Sequence, residues 1–143
     1  MDQFSDKLSV KSSEAEGMNR VIESGDWMIG IKNYKPANDL KHFDYVEKHL
    51  LTDEAFVLLK GKCTLLVDIS PENDHTIIEP VGMEEGKVYS VHKGVWHNMI
   101  MSRDAKLILV ENLNTSSDNS EMYTLSKMEI QTIQNKLQGE RYE

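Results

Sequence analysis

The chain is poor in cysteine, proline and aromatic residues: one Cys and three Pro among 143 positions, and 7% Phe, Trp and Tyr. A single cysteine, Cys63, excludes an internal disulfide framework. Within KCTLLV it reads as a small packed residue rather than a nucleophile. There is no CxxC pair, no Ser-His-Asp arrangement and no phosphate-cradling glycine loop. The loop from Gly82 to Gly86 carries Glu84 and Glu85, which would repel a phosphate. No apolar run approaches the roughly 18 residues needed to cross a bilayer. The opening MDQFSDKLSVKSSEAEGMNR lacks the apolar centre of a signal peptide. Together with the lone cysteine, this predicts a cytoplasmic protein. Basic residues are also scarce: 16 Lys and Arg against 24 Asp and Glu give a net charge of −8. That balance argues against nucleic acid, or an anionic membrane, held on a broad basic surface. It leaves open a small ligand held in a pocket.

What is present is an ordinary globular composition, 39% hydrophobic and 28% charged, at a length that suits one domain with a sizeable core. The pattern predicts a polar N-terminal arm over residues 1–20, a barrel over 21–125, and a helix and tail over 126–143. Strands are expected at Trp27 to Tyr34, His42 to His49, Ala55 to Leu59, Cys63 to Ile69, His75 to Glu79, Val88 to Val91, Asn98 to Met101 and Lys106 to Glu111. Turns punctuate them at Leu51-Thr52-Asp53, Lys60-Gly61-Lys62, Pro71 to Asp74, Lys93-Gly94 and Ser102-Arg103-Asp104. In the second strand, Phe43, Tyr45, Glu47 and His49 fall on one face at period two. Leu113 to Glu121, LNTSSDNSE, reads as a loop. Ser126 and Glu129 then form a capping box, and Ile130, Ile133 and Leu137 give the following helix one apolar stripe, with Gly139 as its stop. Seven or eight short strands at this spacing indicate an all-β sandwich or barrel with the helix packed outside.

Chemistry gathers around Gly86 to His97, GKVYSVHKGVWH, in which a glycine turn delivers a histidine to the start of a strand. Two segments read together: Glu47-x-His49 followed by Glu54 and Gly61, and Gly86 followed by His92, Gly94 and His97. They resemble the cupin family of small antiparallel β-barrels (jelly rolls), whose motifs read G(x)5HxH(x)3–4E(x)6G and G(x)5PxG(x)2H(x)3N. His49, Glu54 and Gly61 fall on the first motif, and Gly86, Gly94 and His97 on the second. Glu47 stands in place of the first histidine, Lys41 in place of the leading glycine, His92 in place of the proline and Met101 in place of the asparagine. The resemblance covers about residues 28 to 111.

On that resemblance, Glu47, His49, Glu54 and His97 converge from three strands. Two imidazoles and two carboxylates suit Mn²⁺, Fe²⁺, Ni²⁺ or Zn²⁺ better than Ca²⁺. Without a metal, His97 and Glu54 form an acid/base pair. By alternation, Met99 and Met101 share the face of His97, Phe56 and Leu58 that of Glu54, and Tyr45 that of Glu47. Tyr45, Phe56, Met99 and Met101 therefore line an apolar ligand pocket with polar groups at one end. The other histidines, His42, His75 and His92, read as surface residues. The function implied is an enzyme acting on a small polar metabolite of the sugar or carboxylic acid type. The alternative is a non-catalytic module that senses a small molecule in the same pocket. The strand KLILVE is apolar on both faces, and Trp96 and Ile100 point out of the barrel, so cover from a second subunit, as in a homodimer, is expected.

Overall fold

The computed structural model describes residues 6–72 and 77–143. Ten strands run β1 (Gly17–Ser24), β2 (Trp27–Asn33), β3 (Tyr45–His49), β4 (Glu54–Lys60), β5 (Cys63–Asp68), β6 (Ile78–Gly82), β7 (Val88–Val91), β8 (His97–Met101), β9 (Lys106–Asn112) and β10 (Ser120–Thr124), followed by helix α1 (Lys127–Lys136). They pair antiparallel into two five-stranded sheets, ordered β1-β2-β9-β4-β7 and β10-β3-β8-β5-β6. The inner faces close on one another as a jelly-roll barrel. Period-two alternation decides what lies between them: Phe56 and Leu58 from β4, Leu107 and Leu109 from β9, and Met99 and Met101 from β8 are all buried there. Each large apolar side chain taken fully from water contributes about 1.5–3 kcal/mol.

A second cluster lies on the outer face of the β3/β8/β5 sheet. There Phe43, Val46, Leu66, Trp96 and Ile100 pack beneath Ile133 of α1 and its C-cap residue Leu137. The capping box starts this helix as predicted: Glu129 N–H donates to Ser126 Oγ at 3.1 Å, and Ser126 N–H to Glu129 Oε1 at 2.8 Å. The outward-pointing Trp96 and Ile100 are thus covered within the chain. Phe43 leaves the face of Tyr45, Glu47 and His49 because the chain is still in a turn there, its N–H bonded to Asp39 O at 3.0 Å.

Two strands are absent from the expected pattern. β1 lies in a polar stretch and is held by seven register partners on β2. β10 emerges from the Ser-rich LNTSSDNSE segment after a single 3-10 turn capped by Ser116, then pairs along all of β3. The strand expected from His75 falls partly on residues 73–76, outside the described residues. The strand found there, β6, takes up Pro80, which an edge strand tolerates because no partner needs its missing N–H. At the β4–β5 hairpin Gly61 has φ +79°, and a Cβ there would lie 2.5 Å from Ala105 Cα, so the close approach of the two turns requires glycine.

A carboxylate and imidazole cluster at one mouth of the barrel

Both sheets contribute to one end of the barrel. β3 ends and β8 begins there, in direct register at Glu47 and His97. From the facing sheet, β4 begins at Glu54 and β9 delivers Glu111 just before its end. His49 and His97 both turn Nε2 onto the same oxygen, Glu54 Oε1, each at 3.2 Å. His49 Nε2 also lies 3.9 Å from Glu47 Oε1 and 3.9 Å from Glu111 Oε2. Ligand atoms of Glu47, His49 and His97 fall within 4.8 Å of one another, as do those of His49, Glu54 and Glu111. The four residues expected to converge therefore do so, joined by a fifth, Glu111.

Second partners fix the rings. His49 Nδ1 meets Ser120 Oγ at 2.8 Å, from the residue directly opposite it on β10. His97 Nδ1 donates to Val95 O at 2.9 Å. A carbonyl only accepts, so Nδ1 of His97 carries a proton; Nε2 donates to Glu54 when the ring takes up a second proton, and in the neutral ring it offers a lone pair instead. Gly94, in the turn before β8, donates its N–H to His49 O at 2.7 Å, which ties the second motif to the first.

The electrostatics of the cluster are unbalanced. Burial opposes ionisation of Glu54, but the hydrogen bonds and charge of His49 and His97 outweigh it and hold the carboxyl at about 2. Burial likewise disfavours a charged His49, yet Glu54, Glu47 and Glu111 raise its pKa above the usual imidazole value. Glu111 is pushed the other way, up to about 8, by burial and by the neighbouring Glu54 charge, against a weaker pull from His49 and Arg20. Its Oε2 is buried and accepts no hydrogen bond. A carboxylic acid there would instead donate to Glu54.

These residues fit a divalent metal. The donor set is two imidazoles and three carboxylates, with a lone pair offered by the neutral His97 ring and a carboxylate oxygen lacking any donor. Neighbouring ligands about 2.1 Å from one ion lie about 3 Å apart, close to the separations of Glu54 Oε1 from the two imidazole nitrogens.

The cluster lines a cavity of about 550 Å³ in the barrel. Tyr45, Phe56 and Met99 line it, with Leu109, Met18 and Met122. Met101 shares their face but sits deeper, 1% exposed in the core, and does not reach the cavity. Asn98 lies at the seam where β3 and β8 part, its Nδ2 donating to Tyr45 O at 2.8 Å. Lys32, Lys35 and Arg20 also line the cavity. Cys63 lies in the core, its thiol pushed up to about 12 by burial, which suits a packing residue. His92 is exposed, as expected, and so is His42.

Glu111 and Lys32 are the site residues that motif reading missed. Each had a signal in the alternation: Leu107, Leu109 and Glu111 share one face of β9, and Met28, Gly30 and Lys32 one face of β2. No family model matches the chain, and no curated protein does. Solved structures do. A cupin-2 domain protein from Shewanella frigidimarina aligns at 19% identity over 78% of this chain and 89% of its own, with a TM-score of 0.50. The Streptomyces nucleoside dehydratase Pac13 aligns at 8% identity over 81% of this chain and 87% of its own, with a TM-score of 0.55. A protein from Planctomyces limnophilus aligns at 12% over 81% and 98%, with a TM-score of 0.54. Ten antiparallel strands closed in two sheets, the motif residues gathered at one mouth and these likenesses together make this chain a small cupin-fold protein.

Proposed function

We propose that this chain is an enzyme that takes a small polar metabolite into the barrel and holds a divalent metal on Glu47, His49, Glu54, His97 and Glu111. The observation that carries this reading is the convergence of these five side chains from four strands around a point where Glu111 Oε2 has no donor. Mn²⁺, Fe²⁺, Ni²⁺ and Zn²⁺ all suit such a nitrogen and oxygen set. A bound ion would supply Lewis-acid polarisation of a substrate oxygen or a redox centre. The chain's own residues supply the rest. Val95 O and Ser120 Oγ orient the imidazoles, Phe56 packs edge-on to His97 with ring centroids 6.4 Å apart, and the apolar wall limits water. Glu47, 34% exposed at the side chain, is the carboxylate best placed to exchange protons with a bound molecule.

Metal analysis of protein purified without a histidine tag tests the reading, together with calorimetric titration of Mn²⁺, Fe²⁺, Ni²⁺ and Zn²⁺. We expect one ion per chain, and loss of most of it in His97→Ala with the fold retained. No metal at purification and no uptake of any of the four would sink the metal reading.

We also propose a homodimer and a reducing, cytoplasmic setting, the latter supported by the buried lone thiol of Cys63. Support for the dimer is the outer face of the β2/β9/β4/β7 sheet. Ile29, Val110 and Ala55 stand in one row across it and Ile31, Ile108, Val57 and Val88 in the next. Trp27, Val88 and Val110 are exposed there, at 44%, 69% and 38%. A sheet apolar on both faces needs cover on both, and α1 covers the other sheet.

A further inference from the structure

The cavity carries both signs of charge. The acidic cluster lies at its mouth, where the Arg20 charge reaches Glu111, and Lys32 lies two inward positions further along β9, opposite Leu107, with Lys35 also in the lining. The three cations are not equivalent. Arg20 is committed to the chain that follows β9, donating from its guanidinium to Leu113 O at 3.1 Å and Thr115 O at 2.6 Å. Lys32 comes from β2 in the inward phase of Met28 and Gly30, so its stem crosses the barrel lining and its ammonium opens into the cavity. Among the described residues it makes no hydrogen bond and no ion pair. The Lys35 charge nearby adds repulsion to the cost of burying Lys32, and both lower its affinity for a proton, to about 8. An inward, half-buried ammonium without an acceptor, beside a second cation, is an anion site waiting for its anion.

We propose that Lys32 binds the carboxylate of the metabolite, and that the molecule this cavity takes is a small hydroxy-carboxylic acid. This deepens the metal-site reading and rests on it in one respect: the hydroxyl end faces the cluster of Glu47, His49, Glu54, His97 and Glu111. A single negative charge matches the inward ammonium of Lys32, with the Lys35 charge as supporting field. A phosphate dianion is disfavoured because three carboxylates share the cavity and would repel its second charge. A wholly uncharged sugar would leave Lys32 unpaired in the complex, at the cost of an unsatisfied buried cation. The apolar stretch from Phe56 to Leu109 between Lys32 and the cluster fits the carbon chain.

The test compares small molecules matched except for the anion: glycerate against glycerol and glycerol phosphate, and lactate against lactamide. Binding is followed by calorimetry and by the Lys32 Nζ resonance in NMR, on chelator-stripped and on Mn²⁺-loaded protein. Each acid should bind about tenfold or more tighter than its uncharged counterpart, the gain expected of one charge-assisted hydrogen bond. In Lys32→Met, an apolar side chain of similar length, that preference should fall to about twofold or less while the neutral molecules bind as before. In wild-type protein the Nζ resonance should move with the acids alone, a readout that needs no variant to fold. Equal binding of acids and neutral molecules, no binding of any acid at millimolar concentration, or an unchanged preference in Lys32→Met overturns the proposal, and a preference for glycerol phosphate replaces carboxylate by phosphate and overturns it too. A failed metal site is distinguishable: acid preference would persist on stripped protein that takes up no Mn²⁺, whereas metal uptake with no acid preference removes the Lys32 assignment alone.

Discussion

Replacing Glu111 by glutamine separates the roles of a buried carboxyl more sharply than any other single change in this barrel. In the metal-free protein its pKa stands at about 8, against 4.5 for an ordinary glutamate. A carboxyl whose folded value is raised contributes stability that is complete below pH 4.5 and is lost as pH rises through 8. Between these limits the folded state holds a proton that the unfolded chain releases. Carried through linkage, the full difference is about 5 kcal/mol above pH 8, and about 3 kcal/mol of it is already lost at pH 7. Relaxation of the cavity wall and water at the mouth reduce this to roughly 1–3 kcal/mol at neutral pH. His49, also raised, changes stability in the same sense. Glu54, held at about 2, acts in the opposite sense and in a separate window below pH 4.5.

Glu111→Gln should therefore make chelator-stripped protein more stable than wild type at pH 8 and flatten its stability between pH 5 and 8. At the same time it should weaken divalent metal binding, since an amide oxygen carries no charge to neutralise the ion. Urea unfolding of stripped protein across that range, with calorimetry of Mn²⁺ or Zn²⁺ on both proteins, reads both effects. A variant that is less stable than wild type at pH 8, or that keeps the full pH slope, would refute the reading of Glu111 as a carboxyl raised by burial and by the Glu54 charge.

Other outcomes follow from the same geometry. His97→Ala should lose most bound metal, by elemental analysis, without loss of strand content by circular dichroism. Val110→Glu, on the partly exposed outer sheet face, should convert a dimer to a monomer in light scattering, and a wild type that is monomeric at micromolar concentration refutes that interface. Gly61→Ala should destabilise by about 1–3 kcal/mol or more in urea, because φ +79° is strained for alanine and the added Cβ meets Ala105 backbone at 2.5 Å.

Much of this architecture is legible in the chain because most of its strands obey one rule. Period-two geometry along Glu54–Lys60, His97–Met101 and Lys106–Asn112 fixes which residues share a face, once the turns between the strands are recognised. The capping box at Ser126 names the helix start to the residue. The strands that escape notice are those stabilised from outside themselves. β10 has the composition of a loop and becomes a strand because β3 offers it a full ladder, and β1 similarly depends on β2. Glu111 was hidden for another reason. It lies outside both motifs, and an acidic residue at the end of an apolar strand reads as the point where the chain meets water. Here the strand ends at the mouth of a barrel, and the facing sheet buries the last inward position.

The substitution of Glu47 for the motif's first histidine then acquires a physical meaning through Glu111 and Lys32. With a neutral ligand at that position the cluster would hold two carboxylates; with Glu47 and Glu111 both present it holds three, beside two imidazoles. A divalent ion would leave one negative charge uncompensated in a half-buried space, which on its own would be unfavourable. The cations in the cavity lining would offset it. Arg20, although tied to backbone carbonyls, reaches Glu111 with its charge, and Lys32 has Glu47 and Glu54 in the field that supports its own. The extra carboxylates and the inward lysine are therefore two halves of one arrangement. With an ion bound they would bring the cavity close to neutral, and a molecule that carries a carboxylate and hydroxyls would find a partner for each.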